Sequence, residues 1–484
     1  MNNSNKIHIL KAMKSSQHEN TALNSYFSEL YGHARMQSEW FAPEPPCLRI
    51  NTIKSSVQEI TEFMQQKGIE FKPHPLNSRG AIILHDPLPM SHTLAFYTGS
   101  FFYQGISSQL PALALNPQPG ETVLDMSAAP GSKTTQIADL MQNQGQLFSA
   151  DSSFKRLQPL MTNLDRAGAM NSVVYFMIGQ RWGRLLPDFF DKVLIDAPCS
   201  NLGKNPNLFL DSEKWTPARL NGHTNLQELL LISALKTVRV GGTVVYSTCS
   251  VSVEENEHLV HQVLQKTGDR VKIESIPLPL HEWLKPGLTS HGGRAFHPDL
   301  EKACRIPPFP HPVEGFFMVR LKKLDSFPVR PSDTVKMMQT RSATHPEISD
   351  YLERISQRWG IALDKLKDFR YYKTKKRIYM LAKEWQEIPE HKMIKPGIPL
   401  VEIKGRTLKL MGAAVQLLSQ DINKSIIELD EKKVMQLFRT GNIHLKDQRN
   451  GYFALAIDGK IITSMSLFKG YSKIHLPHYF HLVR

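Results

Sequence analysis

The sequence predicts an α/β protein with an open, largely parallel sheet, and three observations indicate this fold class. In the middle of the chain, short apolar runs alternate with segments of helical character. The run at 243–250, Thr-Val-Val-Tyr-Ser-Thr-Cys-Ser, follows a Gly-Gly turn and precedes an acidic, helix-starting segment at 252–257. This run delivers a thiol, Cys249, at the carboxyl end of a strand, where open parallel sheets bind their ligands. We therefore expect chemistry at Cys249.

Length and composition indicate a folded protein of several domains. At 484 residues the chain exceeds what one hydrophobic core usually supports, so two to four domains are expected. We find no apolar segment long enough to cross a bilayer, and the first residues, Met-Asn-Asn-Ser-Asn-Lys, lack the apolar stretch of a signal peptide. These features predict a cytoplasmic protein with no membrane partner.

The cysteines argue against a disulfide framework or a structural metal. They are Cys47, Cys199, Cys249 and Cys304, and no two of them form a Cys-x-x-Cys pair. We therefore expect free thiols and no metal ion. Cys47 and Cys304 lie outside any informative context and are predicted to be structural.

The charge distribution favours a polyanionic partner. The chain carries 59 Lys and Arg against 45 Asp and Glu, a formal net charge of +14. Residues 331–484 hold 27 basic and 16 acidic residues, so +11 of this excess lies in the last third. Nucleic acid is the natural partner for such a region, and an ordinary solvated basic surface is the alternative.

The first hundred residues predict a packing helix followed by a small β-α-β unit. Within residues 1–40, large apolar side chains recur at the spacing of one helix face: Leu23, Tyr26, Phe27, Leu30 and Tyr31. A Pro-rich break at 43–46 leads into a strand at 47–54 and a helix at 57–66. A second strand completes the unit by about residue 95.

The segment 121–135 predicts a ligand-binding loop. An apolar strand ends in Asp125, a loop of small residues follows, and a helix starts near Ser132. Small residues let backbone amides approach a ligand closely, and the helix start offers unsatisfied N–H groups to a carboxylate. The loop matches neither G-x-G-x-x-G nor G-x-x-x-x-G-K-[ST], so neither a dinucleotide nor a nucleoside triphosphate is favoured. A plain tight turn is the alternative.

Two further predicted strands end in acids. The strand 146–151 ends at Asp151, and the strand 192–196 ends at Asp196, directly before Ala-Pro-Cys-Ser. A helix to residue 167 and a strand at 172–177 lie between them. Asp151 can accept both ribose hydroxyls of a nucleoside-bearing cofactor, and a helix cap is its alternative.

Beyond Cys249 the pattern predicts a helix, a Pro- and Gly-rich stretch at 275–312, a strand at 314–321 and a basic linker from 322 to about 342. The remainder mixes helices with short strands separated by turns at 450–451 and 458–459. This pattern indicates a β-rich terminal domain.

Four blocks of the chain resemble the Sun/nucleolar-protein family of RNA cytosine-5 methyltransferases. They are Asp-Met-Ser-Ala-Ala-Pro-Gly-Ser-Lys at 125–133, Asp-Ala-Pro-Cys-Ser at 196–200, Tyr-Ser-Thr-Cys-Ser at 246–250 with Glu-Glu-Asn-Glu at 254–257, and Glu-Gly-Phe-Phe at 314–317. Segments at 48–54 and around Gln104 support them, so the resemblance covers about residues 45–323. The layout, with a basic C-terminal region that ends at 479–484, resembles the bacterial 16S ribosomal RNA methyltransferase F group.

The resemblance implies a Rossmann-like class I methyltransferase sheet, a small N-terminal α+β domain and a C-terminal β-rich, PUA-like RNA-binding domain. The expected division is an N-terminal helical and β-α-β RNA-binding region at 1–95, a methyltransferase domain at 96–323, a connecting domain at 324–400 and the PUA-like domain at 401–484.

The resemblance also implies the roles of the site residues. S-adenosylmethionine is expected on a set of loop and strand-end residues: Ser127, Ala128, Ala129, Pro130, Gly131, Ser132, Lys133, Asp151, Ile178 and Asp196. Since C5 of cytosine is a weak nucleophile, a thiolate must first add to C6, and the family pattern assigns that step to Cys249. Cys199 is expected to assist loss of the C5 proton and release of the enzyme. Asp196 is expected to hydrogen-bond the cytosine, and the charge of Lys133 to lower a thiol pKa.

Three positions depart from the family pattern. Asn201 stands where the family usually has Gly, and the loop 201–210 lacks the family's Arg. Ile178 stands where the family tends to place an Asp that binds the adenine amine of the cofactor. Loss of that acceptor is expected to weaken cofactor binding by roughly 1–3 kcal/mol.

These observations predict an S-adenosylmethionine-dependent RNA (cytosine-C5) methyltransferase that acts as a monomer on 16S rRNA, as naked RNA or in the small ribosomal subunit. The target base is expected in single-stranded or flipped-out RNA. Two alternatives stay open: a tRNA substrate, and an RNA-binding ribosome-assembly factor on a methyltransferase scaffold with weakened or no catalysis.

Overall fold

A computed structural model of the protein describes residues 26, 29–31, 44–87, 89–204, 217–308, 311–330 and 336–474. Of the predicted first helix, Tyr26, Leu30 and Tyr31 are helical, whereas Leu23 and Phe27 lie outside the described residues. So do loop residues 205–210 and the terminal segment 479–484. Within the described ranges, none of the helices combines the length and apolar character that a membrane span needs.

A four-stranded antiparallel sheet with two helices forms the N-terminal unit. Its elements are β1 (Cys47–Ile50), α1 (Val57–Gln66), β2 (Glu70–His74), β3 (Asn77–His85), α2 (Leu94–Thr98) and β4 (Phe101–Tyr103). The strand order is β2-β3-β1-β4, so the predicted β-α-β unit is the first part of a larger sheet. Helix α1 starts where predicted because Ser56 and Glu59 form a capping box.

A buried cation, Arg49, is one of the contacts that join the N-terminal unit to the centre of the protein. Arg49 on β1 is fully buried and donates to Gln104 Oε1 at 2.8 Å and to Thr135 Oγ1 at 2.7 Å. Its guanidinium also lies 3.7 Å from the carboxylate of Asp139. These contacts explain why the segments around Arg49 and Gln104 belong to the same family resemblance as the four blocks of the central part.

The central sheet carries the site. Its elements in chain order are α3 (Leu110–Leu115), β5 (Thr122–Asp125), α4 (Ser132–Leu140), β6 (Gln146–Asp151), α5 (Phe154–Ala167), β7 (Ser172–Phe176), α6 (Trp182–Leu185), β8 (Phe190–Asp196), α7 (Pro217–Thr237), β9 (Val238–Thr248), a π-helical turn (Glu254–His258), α8 (Leu259–Thr267), β10 (Val271–Glu274), β11 (Lys285–Pro286), β12 (Ser290–His291), β13 (Arg294–Ala295), β14 (Cys304–Ile306) and β15 (Phe316–Lys323).

Five strands of the central sheet are parallel, in the order β9-β8-β5-β6-β7. Strand β15 pairs antiparallel with β9, and β14 and β10 pair with β15. The chain crosses from one side of β5 to the other after β7, which makes the carboxyl end of β5 the topological switch point of the sheet. A ligand crevice is expected at this point.

Both faces of the parallel strands are buried, which explains their nearly continuous apolar sequences. Successive residues of one strand enter different cores: Leu124, Val244 and Tyr246 pack into one, and Val123 and Val245 into the other. The predicted Rossmann-like α/β fold is confirmed, with antiparallel additions that make the sheet mixed.

The C-terminal part contains two more sheets. Its elements are β16 (Met337–Met338), α9 (Pro346–Trp359), α10 (Leu363–Lys367), β17 (Arg370–Lys373), β18 (Arg377–Leu381), β19 (Ile388–Pro389), β20 (Met393–Pro396), β21 (Ile398–Lys404), β22 (Thr407–Leu410), α11 (Gly412–Leu417), β23 (Ile426–Glu428), α12 (Glu431–Thr440), β24 (Asn442–His444), β25 (Gly451–Ile457), β26 (Lys460–Phe468) and β27 (Tyr471–Ile474). One sheet has the order β17-β18-β21-β22 and the other β23-β25-β26-β27-β24. The predicted turn at 458–459 joins β25 to β26, with φ of 47° at Asp458 and 73° at Gly459.

Two features of the elements differ from the sequence pattern. The acidic segment expected to start a helix begins with the π-helical turn, and the stretch 275–312 holds the short strands β11 to β14. The expected division at residues 95 and 400 stays a prediction: α2 spans the first position and β21 the second, and β20 pairs with the edge strand β7 of the central sheet.

Candidate active site at the carboxyl edge of the central sheet

A cavity of about 550 Å³ opens at the carboxyl ends of the parallel strands. The sequence-predicted residues that line it are Ser127, Ala129, Pro130, Ser132, Lys133, Asp151, Ile178, Asp196, Cys199 and Cys249. Ala128 and Gly131 lie in the same loop but outside the lining. The structure therefore brings the two predicted cysteines and the predicted cofactor loop to one site.

The two thiols are in direct contact. Cys199 Sγ and Cys249 Sγ lie 3.1 Å apart, and Cys199 is 7% exposed whereas Cys249 is partly exposed to the cavity. The hydrogen bond with Cys249, together with burial, raises the pKa of the Cys199 thiol well above its ordinary value. Cys199 is therefore a neutral thiol at physiological pH, and Cys249 is the sulfur that a ligand can reach.

Asn201, which replaces the family's usual Gly, contacts the reactive sulfur. Its backbone has φ of 59°, in the left-handed region that Gly adopts freely and Asn tolerates better than most residues. Its Oδ1 accepts a hydrogen bond from Cys249 Sγ at 2.8 Å. The replacement therefore keeps the backbone turn and adds an acceptor beside the thiol.

One buried carboxylate ties the two cysteine loops together. Glu255 is fully buried and accepts hydrogen bonds from the hydroxyls of Ser200 and Ser250, each at 2.5 Å. It also accepts from the backbone N–H of Ser200 at 2.9 Å and from Gln227 Nε2 at 3.0 Å. Because Ser200 follows Cys199 and Ser250 follows Cys249, Glu255 fixes the separation of the two sulfurs.

The loop after Cys199 is also fixed by close backbone packing. The N–H of Gly203 donates to the carbonyl of Cys249 at 2.9 Å, and the N–H of Gly315 donates to the carbonyl of Gly203 at 3.0 Å. A Cβ on Gly203 would lie 2.0 Å from the carbonyl oxygen of Gly315. The Glu-Gly-Phe-Phe block therefore belongs with the cysteine blocks because its glycine supports the cysteine loop.

Asp196 lies beside the thiols with both carboxylate oxygens engaged. Oδ2 accepts from Lys133 Nζ at 2.7 Å, and Oδ1 accepts from Ser247 Oγ at 3.0 Å. Lys133 Nζ also donates to Ser108 Oγ at 2.9 Å. The ammonium of Lys133 thus binds and orients the carboxylate of Asp196, which lines the cavity.

The side chain of Asp125 stabilises the predicted cofactor loop. Its Oδ2 accepts from Thr134 Oγ1 at 2.7 Å, and burial raises the pKa of Asp125 to about 7. Helix α4 follows, starting at Ser132 as predicted, and Gly131 precedes it with φ of 110°, which favours glycine. Ser132 and Lys133, in the first turn of α4, line the cavity, so this helix starts at the site, where an anionic ligand group can be bound.

Asp151 binds the loop rather than capping a helix. Its Oδ2 accepts from the N–H of Ala129 at 3.3 Å and pairs with Arg156 Nη1 at 3.3 Å, and its Oδ1 accepts from the N–H of Ser153. The N-cap residue of α5 is Ser153. Asp151 lines the cavity with its carboxylate in a fixed orientation.

The side of the cavity away from the thiols is apolar. Ile178 is 45% exposed there, although a large apolar side chain usually avoids water, and Met126 and Leu230 line the same cavity. The volume falls within the range of cofactor sites. An apolar wall, a strand-end carboxylate and a helix N-terminus together fit a cofactor with an aromatic base, a ribose and a carboxylate.

The sequence did not predict the roles of Glu255 and Ser108. It also did not predict the ion pair between Lys204 and Glu314, whose Nζ and Oε2 atoms lie 2.8 Å apart. Glu255 and Glu314 stand within blocks that the sequence singled out, and each block contains a carboxylate that an apolar core would not hold without partners. An acid within an otherwise apolar block indicates a buried, hydrogen-bonded carboxylate, but it does not indicate which residues are its partners.

Comparison with known proteins agrees with this geometry. The family model described as 16S rRNA methyltransferase RsmB/F matches residues 112–322. The chain is 33% identical over 309 residues to the tRNA (cytosine(49)-C(5))-methyltransferase of Pyrococcus abyssi, covering 63% of this chain and 96% of that protein. It is 34% identical over 324 residues to the ribosomal RNA small subunit methyltransferase F of Vibrio cholerae, covering 65% of this chain and 66% of that protein.

A solved structure, a methyltransferase homologue from Pyrococcus horikoshii, superposes with a TM-score of 0.57 at 31% identity, covering 67% of this chain and all of that chain. The chain spans less than half the length of several longer relatives, including 49% of the 26S rRNA (cytosine-C(5))-methyltransferase of Caenorhabditis elegans.

The parallel sheet, its switch-point cavity and the loop after β5 define a Rossmann-like methyltransferase. The chain belongs to the RsmB/F family of RNA cytosine-C5 methyltransferases. The family resemblance predicted from the sequence motifs is thereby confirmed.

Proposed function

We propose that the protein methylates C5 of a cytosine in RNA through a covalent bond between Cys249 Sγ and C6 of the base. The observation that carries this proposal is the contact of the Cys199 and Cys249 sulfurs, 3.1 Å apart, beside the oriented carboxylate of Asp196. Bound S-adenosylmethionine supplies the methyl group.

Cys249 is the nucleophile because its sulfur is the more exposed of the two. Addition of the thiolate to C6 breaks the C5–C6 double bond and leaves electron density at C5, which can then take the methyl carbon. Asp196, fixed by Lys133 and Ser247, is positioned to hydrogen-bond the cytosine edge and to favour protonation of the ring during the attack.

Cys199 is suited to the second half of the reaction. After methylation, C5 carries both a methyl group and a proton, and loss of that proton restores the double bond while the C6–Sγ bond breaks. Cys199 can give its own proton to the departing Cys249 sulfur, 3.1 Å away, and the resulting Cys199 thiolate, strongly basic because its pKa is raised, can take the C5 proton.

S-adenosylmethionine fits the remaining part of the cavity. Asp151 would accept hydrogen bonds from the ribose hydroxyls, backbone N–H groups in the first turn of α4 would bind the methionine carboxylate, and Ile178 would lie against the adenine. Ser127, Pro130 and Ser132 provide the loop wall between these ends.

The substrate is proposed to be 16S rRNA, since the matched family model is described as a 16S rRNA methyltransferase. A tRNA is the alternative because the relative from Pyrococcus abyssi is named for tRNA cytosine 49. The basic C-terminal part is proposed to be a PUA-like domain that binds the RNA. That the protein works as a monomer in the cytoplasm stays a prediction.

Ile178 favours a second candidate, an RNA-binding assembly factor with little catalysis, because an apolar residue in place of an acid weakens the adenine site. Isothermal titration with S-adenosylmethionine separates the two. The methyltransferase requires binding below millimolar concentration, whereas absence of binding up to that concentration supports the assembly factor.

Methyl transfer tests the proposed function directly. Wild-type protein with S-adenosylmethionine labelled on the methyl group should label 16S rRNA transcripts, with tRNA assayed in parallel, and bisulfite sequencing should place the label on one cytosine. Cys249→Ala should abolish the label while Cys304→Ala, a change at a buried cysteine away from the cavity, should retain it. Equal labelling by wild type and Cys249→Ala would refute the mechanism.

A further inference from the structure

A second cavity lies in the C-terminal part of the protein, outside the active site. It has a volume of about 520 Å³ and lies between α9, the turn from β21 to β22, and strands β25 and β26. We call it the C-terminal cleft and define it by six of its lining residues: Arg354, Arg358, Lys404, Arg406, Tyr452 and Phe468.

The lining of the C-terminal cleft is cationic. Four of its residues carry a positive charge and, among the described residues, no carboxylate lines it. Arg354 is held in place because its Nη2 donates to the backbone carbonyl of Arg406 at 2.6 Å. Glu402 lies 3.5 Å from Lys404 and 3.8 Å from Lys409, so one acid is shared by two cations. Asp350 Oδ2 also lies 3.6 Å from Arg354 Nη1 on the same helix. The excess of positive charge that remains in the lining favours an anionic ligand.

The charge is crowded enough to affect a neighbouring lysine. The pKa of Lys409 is lowered to about 8, mainly by burial, with the nearby cations Lys404, Arg377 and Lys473 adding to the shift and Glu402 opposing it. Bound phosphates would relieve this repulsion.

The cleft also presents an aromatic surface. Phe468 is 48% exposed at the cleft, and its ring meets that of Tyr452 edge to face with centroids 5.9 Å apart. An exposed aromatic ring beside arginines is the arrangement on which single-stranded nucleic acids stack their bases.

Two buried donors of the cleft have no hydrogen-bond partner among the residues that the structure describes. Trp359, 1% exposed, lines the cleft with its indole Nε1–H unpaired, and the Nε–H of Arg358 is also buried without a partner. Gly451 makes room for Arg358, since a Cβ there would lie 2.8 Å from Arg358 Nη2. Unpaired buried donors are costly unless a ligand or water accepts from them.

We propose that the C-terminal cleft is an RNA-binding site that holds backbone phosphates on Arg354, Lys404 and Arg406 and stacks one unpaired base on Phe468. The inference rests on the proposed function, because the cleft would be a second binding site for the same RNA substrate. An acidic protein segment would use the cations but gains little from the exposed ring, so RNA is the better match.

Fluorescence anisotropy of a labelled single-stranded RNA with the full-length protein tests the cleft. Arg354→Ala combined with Arg406→Ala should raise the Kd about tenfold at moderate salt. The slope of log Kd against log salt should fall by about 1.4, since each phosphate contact to a single strand contributes about 0.7. Phe468→Ala should raise the Kd about tenfold and leave the slope unchanged, because stacking is not ionic.

The matched control removes two exposed lysines of the same part of the chain that do not line the cleft, Lys432→Ala with Lys460→Ala, and should change the Kd less than twofold. Equal effects of the cleft and control pairs would overturn the proposal. So would displacement of the RNA by polyglutamate together with an unchanged Kd for Phe468→Ala, which indicates an acidic protein partner.

Methyl transfer separates this proposal from the proposed function. If the cleft variants bind RNA weakly while wild type transfers no methyl group, the cleft stands and the catalytic proposal fails. In the opposite case, the wild type methylates RNA and the cleft variants have the Kd and the salt dependence of the wild type. The catalytic proposal then stands, and the proposal for the C-terminal cleft fails.

Discussion

Cys199 and Cys249 are 50 positions apart in the chain, and their Sγ atoms lie 3.1 Å apart. The contact follows from the parallel pairing of β8 with β9, in which Asp196 is opposite Ser247. Cys199 lies three residues after the end of β8 and Cys249 one residue after the end of β9, so both loops turn into the same space. In the proposed mechanism, Cys249 attacks C6 of the base and Cys199 assists the later loss of the C5 proton.

This division predicts different fates for the two cysteine variants. Cys199→Ala should accumulate a protein–RNA adduct that survives denaturing gels, because Cys249 still attacks C6 but release is slow. Cys249→Ala should form no adduct, because the attacking sulfur is gone. Cys304→Ala is the control and should behave as wild type. An adduct in Cys249→Ala and none in Cys199→Ala would reverse the assigned roles.

The raised pKa of Cys199 predicts a pH-dependent difference in alkylation. A group whose folded-state pKa lies above the ordinary value keeps its proton as pH rises through that value, so Cys199 should react slowly with iodoacetamide even at pH 9. Cys249 should be the first of the two labelled. Cys249→Ala removes the hydrogen bond that is the largest cause of the shift and should speed labelling of Cys199. Peptide mass spectrometry over a pH series measures both rates, and faster labelling of Cys199 in the wild type would contradict the prediction.

The local sequence pattern reveals where strands end, but it does not reveal contacts between distant segments. Strand ends at Asp125, Asp151 and Asp196 were predictable because apolar runs and turn residues mark them locally. The hydrogen bonds of Glu255 were not, because its partners come from three separate segments. The pairing of β20 with β7 was also not predictable, since an edge-strand contact across more than two hundred residues leaves no local periodicity.

Asn201 offers a test of the acceptor beside Cys249. Asn201→Gly keeps the left-handed backbone and removes the Oδ1 that accepts the hydrogen bond of Cys249 Sγ. The freed and less crowded sulfur should be alkylated severalfold faster, without loss of stability. Asn201→Ala removes the same acceptor but should cost about 1 kcal/mol of stability, because Ala lacks the polar side chain that lets Asn tolerate positive φ. Labelling rates and urea unfolding of both variants separate the two effects. An unchanged rate in Asn201→Gly would mean that the hydrogen bond does not govern reactivity.

Glu255→Gln should weaken the link between the cysteine loops. The carboxylate accepts from three side chains and one backbone N–H, and an amide replaces one accepting oxygen with a donor. We expect a loss of about 2 kcal/mol in the free energy of unfolding. Diamide should also join Cys199 to Cys249 more slowly, because the sulfurs separate.

Glu254→Gln is the matched control for this change. Glu254 is the adjacent, less buried acid, and it accepts from Tyr26 and Ser252 rather than from the cysteine loops. Its variant should leave the diamide rate unchanged. Equal diamide rates in wild type and Glu255→Gln would show that the sulfur contact does not depend on Glu255.

Ile178→Asp should strengthen cofactor binding if adenine lies against this side of the cavity. Ile178 is 45% exposed, so the substitution buries no new charge. A carboxylate there can accept from the adenine amine, and one such hydrogen bond is worth roughly 1–3 kcal/mol, a tenfold to hundredfold fall in the Kd of S-adenosylmethionine. Ile178→Asn offers a neutral acceptor of nearly the same shape and should gain about half that free energy. Isothermal titration of the three proteins measures the series, and weaker binding by Ile178→Asp than by wild type would place the adenine elsewhere in the cavity.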